Sequence, residues 1–240
     1  MLALFISDLH LDASRPLATD AFHRFLRQDA RKADRLYILG DLFEYWVSDG
    51  DQNPHHRGVI AALAELTASG VSCYIMHGNR DFMLGKQFEQ DTGATLLYDP
   101  TLIYAGGKSV LISHGDALCT DDIGYQRFRK IVRIHWLQQI YHSLPFALQS
   151  RIFAKTRRAS MNKLSDKPPE ILDVNPQAVI DSLKRYEVDT LLHGHTHRPA
   201  IHHFEINGRA MTRIVLGDWY ESGSVLSWDD AGPRLSSLDF

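Results

Sequence analysis

Five apolar runs of strand length each end in a cluster of polar, metal-capable side chains, and few folds can accommodate that pattern. Leu2–Ile6 leads to Asp8 and His10, and Arg35–Leu39 ends in Gly40-Asp41. Val71–Met76 delivers Gly78-Asn79-Arg80-Asp81, and Lys108–Ser113 delivers His114-Gly115-Asp116. The last run, Val188–Leu192, opens into His193-Gly194-His195-Thr196-His197. In open α/β sheets ligands bind beyond the carboxyl ends of the strands, so these five clusters are expected to converge. Asp8 and His10 stand two residues apart, which at a strand end sends both side chains from one face.

Helical spacing fills the gaps between the early runs. Phe22, Phe25, Leu26 and Ala30 mark a helix over Ala21–Ala33 with Thr19 as its N-cap, and a second helix covers Arg57–Ala68 and stops at Gly70. The alternation predicts a parallel sheet covered by helices, an α/β fold. In the second half, Thr101–Ala105 with Lys108–Ser113, and Ile201–Ile206 with Ala210–Leu216 across Asn207-Gly208, read as hairpins. Asn175-Pro176 opens another helix, and Ser224–Trp228 and Arg234–Leu238 suggest further strands.

Residues 121–170 interrupt this pattern as a helical insertion. Phe128, Ile131, Val132, Trp136, Leu137 and Ile140 form one apolar stripe flanked by Arg127, Lys130 and Arg133, and a second helical stretch follows Pro145. From Ile123 to Glu170 ten Lys and Arg face only Asp166 and Glu170, a net of +8. The remainder, with 16 basic and 27 acidic side chains, carries −11. A basic block in an acidic chain asks for an anionic partner such as phosphate, nucleic acid or a membrane surface.

The strand-end inventory of two carboxylates, four imidazoles and one amide is too rich in nitrogen for magnesium or calcium. It lacks the thiolates of a structural zinc site and suits two adjacent manganese, iron or zinc ions sharing one carboxylate. Two divalent ions with Asp8 and Asp41 leave a charge near +2, suited to an anionic substrate and to deprotonating water. No Gly-x-Ser-x-Gly elbow supports a serine nucleophile. Cys73 and Cys119 lie in or beside apolar runs and read as buried free thiols. His55, His56, His202 and His203 read as surface residues, His135 and His142 as solvated or headgroup-facing, and His23 and His77 as structural. No signal-peptide pattern precedes Leu2–Ile6, and no apolar run reaches the ~20 residues needed to span a bilayer.

Asp8-x-His10, Gly40-Asp41, Gly78-Asn79-Arg80-Asp81, His114-Gly115-Asp116 and Gly194-His195-Thr196-His197 together resemble the motif series of the calcineurin-like metallophosphoesterases. Within that superfamily the chain is similar, nearly end to end, to the branch that hydrolyses UDP-2,3-diacylglucosamine in lipid A biosynthesis. The branch resemblance includes Leu216-Gly217-Asp218-Trp219, His193 through Pro199, and the basic insertion. It implies a single domain over 1–240, a sandwich of two mixed β-sheets flanked by helices, with 121–170 as a lid. It implies that Asp8, His10, Asp41 and His197 hold one Mn²⁺, and that Asp41, Asn79, His114 and His195 hold the other, Asp41 bridging. Asp41, Asn79, Arg80, His114 and His195 would be catalytic. Asn79, Arg80, Asp122, Ser160, Lys167 and His195 would touch substrate; Leu164 departs from the asparagine of the branch.

The implied reaction is attack of dimetal-bound hydroxide on the alpha phosphorus, giving UMP and 2,3-diacylglucosamine 1-phosphate. The implied location is cytoplasmic, peripheral to the inner membrane, with that anionic surface and the lipid-linked substrate as partners, and neither nucleic acid nor an obligatory protein partner. Two readings compete: a phosphodiesterase or nucleotide pyrophosphatase acting on soluble substrates, which has no need of an amphipathic basic insertion, and a metal-free interaction module, against which every expected ligand is present.

Overall fold

The computed structural model describes residues 1–164 and 173–240, without the side chains of 159–164. The expected substrate contacts at Ser160 and Lys167, and the side chain of Leu164, therefore lie outside the described residues.

Two sheets face one another between helical layers. Strands β1 (Ala3–Ile6), β2 (Arg35–Ile38), β3 (Ser72–Met76) and β4 (Thr95–Leu97) run parallel. On the far side of β1 they are joined, antiparallel, by the hairpin β10 (Gly223–Asp229)–β11 (Gly232–Leu238). The second sheet orders β5 (Thr101–Ala105), β6 (Lys108–Ser113), β7 (Thr190–His193), β9 (Arg209–Val215) and β8 (Ala200–Ile206). It too is mixed, with β6, β7 and β9 parallel between two antiparallel edges.

Alternation along β1 decides which layer each side chain enters. Leu4 and Ile6 pack against α1 (Pro16–Gln28) and α2 (Pro54–Ala68), with Phe22, Phe25 and Leu63. Ala3 and Phe5 turn the other way and meet Ile112, Leu192 and Ile214 between the sheets. Helix α7 (Pro176–Tyr186) covers the outer face of the second sheet through Val179 and Leu183. A strand apolar on both faces has to lie between two layers, so the unbroken runs Ala3–Ile6 and Leu36–Leu39 follow from this architecture.

Several boundaries depart from the sequence expectation. Helix α1 begins at Pro16, whose fixed φ suits a first turn, and the Thr19 hydroxyl donates to Arg15 O instead of capping. Helix α2 also opens earlier, because Asn53 accepts from the His55 amide and Pro54 follows. Helix α3 (Lys86–Thr92) and β4 were not anticipated; both are too short to show a period. His56 is 0% exposed, bonded to Asp51 and packed among Phe43, Tyr45 and Trp46. The expectation of a surface residue there was wrong, because the early start of α2 turns that position inward.

The insertion also differs. The apolar stripe expected to be one helix is two, α4 (Ile123–Val132) and α5 (His135–Ser143), followed by α6 (Phe146–Leu164). The break falls at Arg133, whose guanidinium donates to His77 O and Gly78 O and so holds the chain at that point. Arg129 and Arg133 also bind Asp116, so part of the basic block anchors the insertion to the body instead of facing outward. Among the described residues no helix is long and apolar enough to cross a membrane.

Candidate metal centre

The five strand ends meet in space, and their backbone is bent to make them meet. Among the described residues seven non-glycines have left-handed φ, and five are Asp8 (55°), His10 (48°), Asp41 (52°), His195 (71°) and His197 (56°). Such a conformation costs of order 1–3 kcal/mol per residue and persists where surrounding structure imposes it, typically at functional sites. Two glycines permit the close approach. A Cβ on Gly78 would fall 2.0 Å from Asp41 Oδ1, and one on Gly194 would fall 2.4 Å from Asp8 Oδ2.

The side chains form two overlapping groups, Asp8–His10–His197 and Asp8–Asp41–His114, whose candidate ligand atoms lie within 4.8 Å of one another. In the first, His197 Nε2 is 3.3 Å from Asp8 Oδ1 and 3.4 Å from His10 Nε2. Asp8 is common to both groups, and Asp41 Oδ2 of the second lies 3.9 Å from His114 Nε2 and 3.7 Å from His10 Nε2 of the first. His114 Nε2 is 2.9 Å from Asn79 Oδ1, and the His195 ring packs edge-on 5.0 Å from that of His114.

Each of three imidazoles is held by its other nitrogen. The carboxylate of Glu44 receives His10 Nδ1 at 3.0 Å, Leu39 O receives His114 Nδ1 at 2.9 Å, and Asp218 receives His197 Nδ1 at 3.0 Å. Carboxylate and carbonyl oxygens only accept, so each Nδ1 carries a hydrogen, and Nε2 is the ring atom turned inward, where a cation would take the place of its proton. The residues fit a pair of divalent cations. Asp8 Oδ1 is buried without a hydrogen-bond partner, an expensive state that a cation would relieve.

The electrostatics point the same way. Burial disfavours charge on His114, yet Asp41 and Asp8 beside it push the imidazole up to about 9. Burial likewise opposes His197, and the carboxylates of Asp218 and Asp8 beside it take it up to about 10. The acids thus favour positive charge at the position the nitrogens surround. His195 behaves oppositely: burial, then the charge of His114, lowers it to about 4, leaving a neutral ring. Asp81 is buried beneath the site and accepts from the amides of Leu42 and Gly78, tying the β2 and β3 loops together.

The description Calcineurin-like phosphoesterase belongs to the family model that matches residues 1–199. The chain belongs to that family. It is 48% identical over 240 residues, all of both chains, to a Photorhabdus laumondii protein named UDP-2,3-diacylglucosamine hydrolase. It is 47% identical over 240 residues, again all of both chains, to the protein of that name from Enterobacter sp.. To the one from Escherichia coli O7:K1 it is 50% identical over 226 residues, 94% of each chain. Family members work with paired metal ions, and the converged acids and imidazoles are the corresponding candidates here.

The remaining expected residues divide. Arg80 stands beside the cluster, its Nη1 3.6 Å from Glu44 and its backbone N donating to Asp41 Oδ1 at 2.8 Å. Asp122 is buried at the N-cap of α4, where the insertion begins, and accepts from the Tyr125 amide. Glu44 received no role from the sequence, and Asp218 only a place in a motif. A second carboxylate three residues past the strand-end Asp41, as in Asp41-Leu-Phe-Glu44, is the signal available for the former.

Proposed function

We propose that this chain hydrolyses the diphosphate of UDP-2,3-diacylglucosamine to UMP and 2,3-diacylglucosamine 1-phosphate, a step of lipid A biosynthesis. The carrying observation is the nitrogen-rich double cluster of Asp8, His10, Asp41, His114 and His197 in a chain alignable along its full length with hydrolases of that substrate. Asp8, His10, Asp41 and His197 would hold one Mn²⁺, and Asp41, Asn79, His114 and His195 the second. Such ions, ~3.5–4 Å apart, polarise a phosphoryl group and generate a nucleophile from water at neutral pH. Arg80 would neutralise charge developing on the phosphoryl oxygens, and the Asn79 side chain would orient them. A cavity of about 540 Å³ beside His197, walled by Asp218, Tyr220 and Ser222, offers room for the nucleoside half.

The insertion supports the lipid half. Ile123, Ile131, Trp136, Ile140, Phe146 and Leu148 are all exposed on α4, α5 and α6, Trp136 at 59%. Each buried CH₂ of an acyl chain contributes ~0.8 kcal/mol, so partial cover of two chains suffices for strong binding. Hydrolysis in ¹⁸O water with mass-spectrometric analysis tests this reading. Label is expected in UMP; label in the sugar phosphate, or equal turnover of UDP-glucose, would overturn it.

The proposed membrane contact sharpens with the structure. Arg127, Lys130, Arg151 and Lys155 are exposed, whereas Arg133 is engaged with Asp116. Reversing Arg127 and Lys130 should weaken association with vesicles containing anionic lipid by about tenfold or more in ~0.1 M salt, since each cation near such a surface contributes ~1 kcal/mol. Sedimentation with vesicles measures it. Binding indifferent both to the reversals and to salt would remove the electrostatic contact.

A further inference from the structure

Glu44 sits where three functional parts of the chain touch. Its Oε2 is 3.0 Å from His10 Nδ1, its Oε1 is 2.8 Å from Arg157 Nη2 and 3.6 Å from Arg80 Nη1, and its backbone carbonyl accepts from Arg157 Nη1 at 3.1 Å. Arg157 belongs to α6 of the insertion, 113 residues away in sequence, and its guanidinium lies 5.2 Å over the ring of Tyr45, next to Glu44. Glu44 is itself held, its amide donating to Leu11 O just beyond the bend at His10. Two loops leaving the sheet thus fix one carboxylate, and that carboxylate has one oxygen for the imidazole and the other for two guanidiniums.

We propose that Glu44 is a positioning residue that joins the insertion to the metal centre, orienting His10 with one oxygen and fastening α6 through Arg157 with the other. The proposal rests on the reading that His10 ligates an ion. A carboxylate receiving the free N–H of a ligating imidazole fixes its orientation and raises its basicity, and loss of such a partner costs about 10–100-fold in metal affinity. The looser contact to Arg80 leaves that side chain able to turn to a phosphate, because at 3.6 Å it is an ion pair without a tight hydrogen bond. Arg157, with two hydrogen bonds and an aromatic wall, stays with Glu44.

The two halves of the role separate by mutation. Glu44→Gln removes the charge but keeps the size and the acceptor oxygen. It should weaken Mn²⁺ binding about tenfold or more in equilibrium dialysis without substrate, and should speed hydrogen exchange over residues 146–158. Arg157→Ala should speed the same exchange without weakening Mn²⁺ binding, because deleting a positive charge near the site cannot repel the ion further. Wild-type Mn²⁺ affinity in Glu44→Gln would overturn the positioning of His10. Exchange raised in Arg157→Ala but not in Glu44→Gln would overturn the joint. Failure of the wild-type chain to bind Mn²⁺ at all would instead remove the underlying metal reading. Substrate is absent from these measurements, so the outcome does not depend on which diphosphate is hydrolysed.

Discussion

Asp41→Asn should lower kcat/KM by about 10³-fold, at or beyond the 10²–10³ seen when one charge-stabilising group is removed from an active site. Asp41 Oδ2 stands 3.7 and 3.9 Å from one histidine of each cluster, within reach of both. Asparagine matches the shape and tolerates the left-handed φ of 52°. Its carbonyl can still accept from the Arg80 amide, which places the NH₂ group, a donor, among inward-facing nitrogens. One negative charge is lost where two cations would gather. The fold should survive with melting close to that of the parent chain, while equilibrium dialysis finds less than two Mn²⁺ bound. A variant with a tenth of the parent activity and a full metal complement would show that Asp41 is not shared. Gly78 tests the same carboxylate sterically, since a Cβ there would strike Asp41 Oδ1.

The centre was legible because its groups follow unbroken apolar runs, and burial on both faces leaves such a run few alternatives to a central strand. Asp8, Asp41, Asn79, His114 and His195 each come within two or three residues of such a run, so sequence order alone located them. Glu44 and the role of Asp218 were not legible, because a supporting carboxylate is recognisable only once the imidazole it serves is placed in three dimensions. The pair Glu44–Arg157 spans 113 positions and leaves no local pattern. The division of the insertion into α4 and α5 was hidden for a related reason. The apolar spacing from Phe128 to Ile140 continues through the break, and what stops the helix is a long-range contact from Arg133 to the β3 loop. The misplaced His56 had a local signal, Asn53-Pro54 as a cap and first turn, that outweighs the adjacency of two histidines.

Arg129→Met should destabilise the chain by about 3–5 kcal/mol, the cost of taking one partner from a buried ion pair. Arg129 Nη2 is 2.6 Å from Asp99 and its Nε 2.9 Å from Asp116, and both carboxylates are essentially inaccessible to water. Methionine fills much of the volume but leaves Asp99 without its guanidinium and Asp116 with only the longer 3.6 Å contact to Arg133 and the hydroxyl of Tyr125. At ~2–4 °C per kcal/mol for a chain of this size, calorimetry should record a melting temperature lower by roughly 10 °C. Burial opposes the charge of Asp116, yet His114, Arg133 and Arg129 outweigh it and hold the carboxyl well below the usual carboxylate range. A carboxyl depressed in the folded state stabilises above its ordinary value near 4, and that contribution fades as pH falls below it. The gap between parent and Arg129→Met should therefore be full at pH 7 and narrow in acid, where a protonated Asp116 no longer needs a cation. Adding Asp116→Asn to Arg129→Met should recover part of the loss at pH 7, because the uncompensated charge goes with the carboxylate. Strict additivity of the two losses would mean that the acid and the guanidinium do not act as a pair, and that the insertion is fastened to the body by its other contacts.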